Sequence, residues 1–283
     1  MKHPIFERFQ AYSGLQTEQV DWIGMRYRAE WWPDVPTPEF PALNEELFEW
    51  IDLLESVDAA RGRFTMLELG AGFGRWGIRG ALAAKQRGIR DIRARFVDGE
   101  PQHVRWIREA LTLNGLDDID AGIVEAAASY AGQPIPFVVA IQDHDARSWY
   151  GQAVRPPAGL NPTERIYFGH RVHELASGNA IYVHTVTFEE LAAGLDLVDL
   201  VDMDLQGAEL ELIENAAALF SRKVRRVHIG THGSEIEDKL RRIFQSEGWT
   251  PQWDFPLQTR VETEFGPVFF NDGVQGWINP RLS

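Results

Sequence analysis

The chain has 283 residues, 44% of them hydrophobic, enough for one large α/β domain with embellishments or for two small ones. Its 42 Asp and Glu against 28 Lys and Arg give a formal charge of -14, which repels a polyphosphate backbone and is read as excluding a nucleic-acid partner. The absence of cysteine excludes disulfides, thiolate catalysis and cysteine-type zinc sites, and fits a reducing cytosol.

The first residues, Met1 to Arg8, carry charges where a signal peptide needs an apolar core. No window approaches the ~18 uninterrupted apolar residues of a membrane helix, so a soluble, cytoplasmic protein without a membrane partner is expected. Residues 1 to 60 hold Phe6, Phe9, Tyr12, Trp22, Tyr27, Trp31 and Trp32 at helical spacings among charges, which predicts two or more helices ahead of the main domain. Pro33, Pro36, Pro38 and Pro41 then impose an extended linker. The aromatic residues are read as packing against the domain, with a lid over the active site as the alternative. Asn44 is expected to cap a helix through Val57, with Leu47, Phe48, Ile51 and Leu54 on one face.

Residues 61 to 283 are read as one α/β domain with an insertion at about 130 to 186. Its first element, Phe64 to Leu69, is a short apolar run that breaks into Gly70, Gly72 and Gly74 and then into a helical pattern from Arg75 to Gln86. Strand, tight turn and helix present unpaired N–H groups to a ligand. The spacing Gly72-x-Gly74-x-x-Gly77 also fits dinucleotide-binding folds, so an NAD(P)-dependent oxidoreductase is kept as an alternative. Against it, the strand ends at Gly70, before that triplet, and the acid closing the next strand is Glu100, thirty positions on where about 20 is usual. The segment Leu67-Glu68-Leu69-Gly70-Ala71-Gly72-Phe73-Gly74 resembles the first motif of class I S-adenosylmethionine-dependent methyltransferases. The resemblance implies that Glu68, Gly70, Ala71, Gly72 and Phe73 cradle the methionine end of that cofactor, the acid suiting an ammonium group.

Arg93 to Pro101 reads as the second strand and Gln102 to Leu113 as a helix. Glu100, followed by Pro101, falls at the carboxyl edge of a parallel sheet, where this fold holds ribose hydroxyls; Asp98 is its rival. Ile123 to Ala128 is a third strand, with Ala127 at its end leaving room for a flat adenine ring. Phe137 to Ile141 and Ala180 to His184 look like strands flanking a long loop on the substrate side. Asp143, His144 and Asp145 in that loop are read as a polar loop rather than a metal site.

Thr187 and Glu190 form a capping box before a short helix. Val198 to Asp204 is a strand, followed by a helix from Gly207 to about Leu219. Lys223 to Gly233 is the next strand, Ser234 is expected to cap a helix through Glu247, and Gln252 to Thr259 with Val268 to Ile278 suit a closing antiparallel hairpin. Asp202-Met203-Asp204-Leu205-Gln206-Gly207-Ala208-Glu209, with Thr187-Phe188-Glu189-Glu190-Leu191 and Glu100-Pro101, is similar to the FkbM-type methyltransferases over roughly residues 64 to 250. That family usually has Lys at the position of Asp202 and Glu at that of Gln206.

The resemblance implies a Rossmann-like, seven-stranded, mostly parallel sheet with a C-terminal antiparallel hairpin and helices on both faces. It places Asp202 and Asp204 beside S-adenosylmethionine and implies O-methylation of a hydroxyl on a small metabolite. Such an acceptor needs a base or a metal. His232 is the expected base, with His228 and Asp204 converging on the same rim and the two histidines sharing one strand face if the strand stays regular. Two carboxylates and a histidine could instead hold a divalent metal, a route placed second. A non-catalytic, cofactor-binding relative and a homo-oligomer are left open.

Overall fold

The computed structural model describes residues 2–15, 18–31, 37–139, 160–175 and 178–283. In chain order the elements are α1 (Glu46–Ala59), β1 (Arg63–Leu69), α2 (Arg75–Gln86), β2 (Asp91–Asp98), α3 (Pro101–Leu113), β3 (Asp120–Glu125) and β4 (Ala127–Ala128). Then follow β5 (Ile135–Val139), β6 (Asn161–Tyr167), β7 (His170–Leu175), β8 (Gly178–Val183), β9 (Thr185–Val186) and α4 (Phe188–Leu191). The chain closes with β10 (Leu200–Met203), α5 (Glu209–Lys223), β11 (Arg226–Thr231), α6 (Ser234–Ser246), β12 (Thr250–Phe255), β13 (Thr259–Thr263), β14 (Gly266–Phe270) and β15 (Gly273–Ile278).

Seven strands form the central sheet in the order β12-β15-β11-β10-β1-β2-β3. The pairs β3–β2, β2–β1, β1–β10 and β10–β11 are parallel, and β15 runs antiparallel between β11 and β12. This is the expected Rossmann-like fold. Central parallel strands are covered on both faces, so β1 is buried from Phe64 to Leu69 rather than alternating between buried and exposed. Phe64 and Met66 enter the core shared with α1, α2 and α3, while Leu67 and Leu69 enter the one shared with α4, α5 and α6. All of the strands that end beneath the glycine loop therefore deliver their last side chains to one carboxyl edge.

The N-terminal segment corrects the expectation of helices. Among the described residues it holds one 3-10 turn, Pro4–Arg8, and then irregular chain up to α1. Asp21 explains the loss of helix: its carboxylate accepts the N–H groups of Ile23 and Met25, a local turn that competes with helical bonding. The aromatic residues do pack, since Phe6, Trp22, Tyr27 and Trp31 lie in the same core as Phe64 and Phe73. Trp32, Pro33 and Pro36 lie outside the described residues.

Other boundaries shift for local reasons. Glu45, not Asn44, precedes α1, and Asn44 gives only its carbonyl, to the N–H of Leu47. Ser234 is the first residue of α6 rather than its cap, a position held by Gly233. The capping box of Thr187 and Glu190 is present as expected. Ala127 and Ala128 leave the third strand to pair with Thr185 and Val186. Strands β5, β6, β7 and β8 form a separate antiparallel sheet in the order β5-β8-β7-β6, so part of the expected loop is a hairpin. Ile141, Asp143, His144 and Asp145 lie outside the described residues. The run Val268 to Ile278 divides into β14 and β15, and β13–β14 is a hairpin of its own beside the main sheet.

Candidate functional site

A cavity of about 240 Å³ opens at the carboxyl edge of β1, β2, β10 and β11, directly over the glycine loop. Gly70 sits at φ +81°, and a Cβ there would lie 1.9 Å from the carbonyl oxygen of Asp204, so the loop and the end of β10 touch only because the residue is glycine. The N–H groups of Gly70 and Ala71 both bond the carbonyl of Val97 on β2. Gly72, at φ +55°, has no atom within 4 Å of a built Cβ and lines the cavity with Ala71 and Phe73. Ligand atoms can thus approach the main chain at this point.

Glu68 does something the sequence does not announce. Its carboxylate accepts the N–H groups of Trp76 and Gly77 at 3.0 and 2.8 Å, capping α2, whose N-cap is Gly74. Burial and then the neighbouring Asp202 push its carboxyl up to about 8 despite those two bonds.

On β2 the structure separates the two rival acids. Asp98 lines the cavity, accepting the N–H of Gly72 at 2.7 Å and that of Glu100 at 2.8 Å. Glu100 and Pro101 are not among the residues lining the cavity. Glu100 is 2% exposed, N-caps α3 through the N–H of Gln102 and accepts the hydroxyl of Tyr167 at 2.8 Å; its other carboxylate oxygen is buried with no partner among the described residues. The Glu-Pro pair carries the signal for this, since proline favours the first helical position and the preceding residue then caps. Beyond Asp98, Ala126, Ala127, Ala128 and Phe137 make an apolar wall.

The far side carries Asp202, Asp204 and His228, all lining the cavity, with Asp272 from the turn between β14 and β15. The two histidines do not share a face. His228 turns to α1, its Nδ1 2.7 Å from the carboxylate of Asp52. His232 lies past the end of β11 and turns to α5, its Nδ1 2.9 Å from Glu209, which is fully buried and also accepts the N–H groups of Leu205 and Gly207. Its Nε2 is 3.4 Å from Asp204 and 3.9 Å from Asp272, so it stands behind these two rather than in the cavity wall. Burial opposes its charge, but Glu209, Asp204 and Asp272 together raise the imidazole to about 9.

Sequence reasoning missed the α1 contribution. Glu45, Glu46 and Glu49 line the cavity, as does Arg75, which bonds Glu46 at 2.9 Å. Glu46 and Glu49 are three apart, hence on one face of a helix that is otherwise largely apolar, and that is the signal available for them. Among the described residues two groups have ligand atoms mutually within 4.8 Å: Glu49, Asp202 and His228, and Asp204, Glu209 and His232.

No protein-family model matches the chain. A protein of Jannaschia sp. (strain CCS1) named "Putative methyltransferase" is 28% identical over 241 residues, which span 84% of this chain and 81% of that one. Among solved structures, methyltransferase FkbM from Methylobacillus flagellatus KT matches at 13% identity and a TM-score of 0.43, over 78% of this chain and 45% of that one. A Streptococcus pneumoniae structure described as "a putative tRNA (m1A22) methyltransferase" matches at 12% identity and a TM-score of 0.40, over 80% of this chain and 68% of that one. The exclusion of a nucleic-acid partner, which rested on net charge alone, is withdrawn. Formal charge summed over a whole chain does not fix the field at one rim, and it sets no limit on the acceptor here.

Proposed function

We propose that the chain is an S-adenosylmethionine-dependent methyltransferase acting on a hydroxyl, with a small metabolite as acceptor. The observation that carries this reading is the opening at Gly72, where bare main chain faces the cavity 2.7 Å from the carboxylate of Asp98. The residues around it suit each part of the cofactor. Asp98 would hold the ribose hydroxyls, and the wall of Ala126, Ala127, Ala128 and Phe137 would take the adenine. The loop from Gly70 to Phe73 and Arg75 would take the methionine end, Arg75 suiting its carboxylate. The relative from Jannaschia sp. supports the methyltransferase part of this reading. When bound, the cofactor supplies an electrophilic methyl group.

What this chain adds is position and proton acceptance. Asp204 has a side chain 54% exposed at the cavity, and His232 orients it. Because the imidazole is charged below about pH 9, Asp204 is the proton acceptor near neutrality and His232 joins it only at higher pH. His228, tied to Asp52, supports the floor. Incubation with S-adenosylmethionine and a library of alcohols, sugars, nucleosides and RNA tests the proposal: the expected product is one hydroxyl compound heavier by a single CH₂. No mass gain in any member, despite bound cofactor, would leave a non-catalytic binding protein in its place.

A further inference from the structure

The cavity carries eight carboxylates against one guanidinium and one imidazole. Most of the acids are already satisfied. Glu46 has Arg75, Glu68 has two backbone N–H groups, Asp98 has two more, and Glu45 accepts the N–H of Asn271. Asp204 accepts Gln206 and faces His232. Asp202 and Glu49 are different. Asp202 is 5% exposed and lines the cavity, yet among the described residues its side chain receives a hydrogen bond only from the carboxyl of Glu49. Its paired neighbours across the sheet are Glu68, another acid, on β1 and His228 on β11. Of the basic groups of the cavity, Arg75 bonds Glu46 and the Nδ1 of His228 faces Asp52; both attract the Asp202 carboxylate through their charge, and neither is recorded donating a hydrogen bond to it.

A buried carboxylate with no donor is costly, and two facing each other keep a proton between them. Burial pushes Glu49 well up, helped by Asp202, and burial raises Asp202 to about 6 against the pull of His228. A ligand cation that brings its own N–H donors replaces that proton and satisfies both acids. A guanidinium or ammonium does so through directed bonds.

Resting on the methyltransferase reading, we propose that Glu49 and Asp202 form a subsite for a protonated amine on the acceptor, so that the substrate class is the amino alcohols, amino sugars included. The ammonium of the cofactor is the rival source of the same chemistry, and a bare divalent ion is the rival ligand. The acceptor's amine is favoured because Glu49 comes from α1, which packs on β10, β11 and β15, whereas Asp98 ends β2, on the other side of β1 in the sheet.

The full chain, with S-adenosylhomocysteine at saturation, is titrated with matched probes: glucosamine against glucose, and putrescine against 1,4-butanediol. The expected result is binding of each amine at least roughly tenfold tighter than its hydroxyl partner, with the preference lost in Glu49→Gln and in Asp202→Asn. Equal affinity within each pair overturns the proposal, and because that comparison uses the unaltered chain it holds even if a variant fails to fold. A preference unaffected by both variants, variants that weaken S-adenosylhomocysteine but not the amines, or Mg²⁺ displacing the amines also overturn it. Amine preference in a chain that does not bind S-adenosylhomocysteine keeps the subsite and rejects the methyltransferase reading; the converse result rejects the subsite alone.

Discussion

The carboxylate of Asp98 accepts the backbone N–H of Gly72 at 2.7 Å, joining the end of β2 to the glycine loop across the mouth of the cavity. One side chain thus holds the loop shape and stands where ribose hydroxyls would arrive. Charge-assisted hydrogen bonds contribute about 1.5–3 kcal/mol each. Asp98→Ala is therefore expected to weaken S-adenosylhomocysteine binding by at least roughly tenfold. Glu100→Ala is expected to act mainly on stability, by about 1 kcal/mol through the lost cap of α3. Isothermal calorimetry and thermal melting of the two variants separate these effects.

Gly70 and Gly72 should respond differently to alanine. At Gly70 the new Cβ meets the Asp204 carbonyl at 1.9 Å with φ at +81°, so overpacking of about 1–3 kcal/mol adds to about 1–2 kcal/mol of backbone strain. At Gly72 the Cβ meets nothing within 4 Å, leaving the strain alone. Denaturant melts should show Gly70→Ala as the more damaged fold and Gly72→Ala as a folded chain with weakened cofactor binding. Equal stability loss in both would contradict the contact between the loop and β10.

Much of the fold was legible because its signals are local. The glycine spacing, the apolar run of β1 and the box at Thr187 and Glu190 each specify one conformation within a few residues. The N-terminal segment was not, since the spacing reflects packing, of Tyr27 and Trp31 on Phe73 and of Trp22 on Trp50, while the backbone follows the turn at Asp21. The site divides similarly. The loop residues, Asp202, Asp204 and Ala127 were placed by position along strands, and the structure puts all of them at the cavity. Partners distant in sequence were not readable: Asp52 with His228 is separated by 176 residues, and α1 delivers Glu49 to Asp202 across the whole domain.

Stability should fall as pH rises through the range in which His232 loses its proton. Its pKa is raised from 6.5 to about 9, so the folded chain binds the proton more tightly than the unfolded one. The contribution is complete below about pH 6.5 and gone above about pH 9, and at 1.36 kcal/mol per unit it amounts to about 3 kcal/mol at most. Glu68, raised to about 8, adds a loss in the same direction between about pH 4.5 and 8. Melting temperatures measured from pH 6 to 10 should decline, and His232→Gln should flatten the upper part of the curve. An unchanged slope in that variant would show that His232 is not the titrating group.

Arg79 fastens the N-terminal segment to the domain. Its guanidinium is 2.8 Å from Asp21, both buried, and lies 4.3 Å from the ring centres of Trp50 and Trp76. Removing one partner of a buried pair costs about 3–5 kcal/mol. Arg79→Met should therefore lower the melting temperature strongly and make residues 18 to 31 accessible to protease, readable by mass spectrometry of a limited digest. A digest identical to that of the unaltered chain would contradict this anchoring.

The most direct measurement of the central claim is a calorimetric titration of S-adenosylhomocysteine and, separately, NADH into the full chain and into Asp98→Ala. The expected result is micromolar binding of S-adenosylhomocysteine at one site per chain, clearly weakened by Asp98→Ala, with no heat from NADH. Binding of NADH instead, or S-adenosylhomocysteine binding that ignores the loss of Asp98, would contradict it.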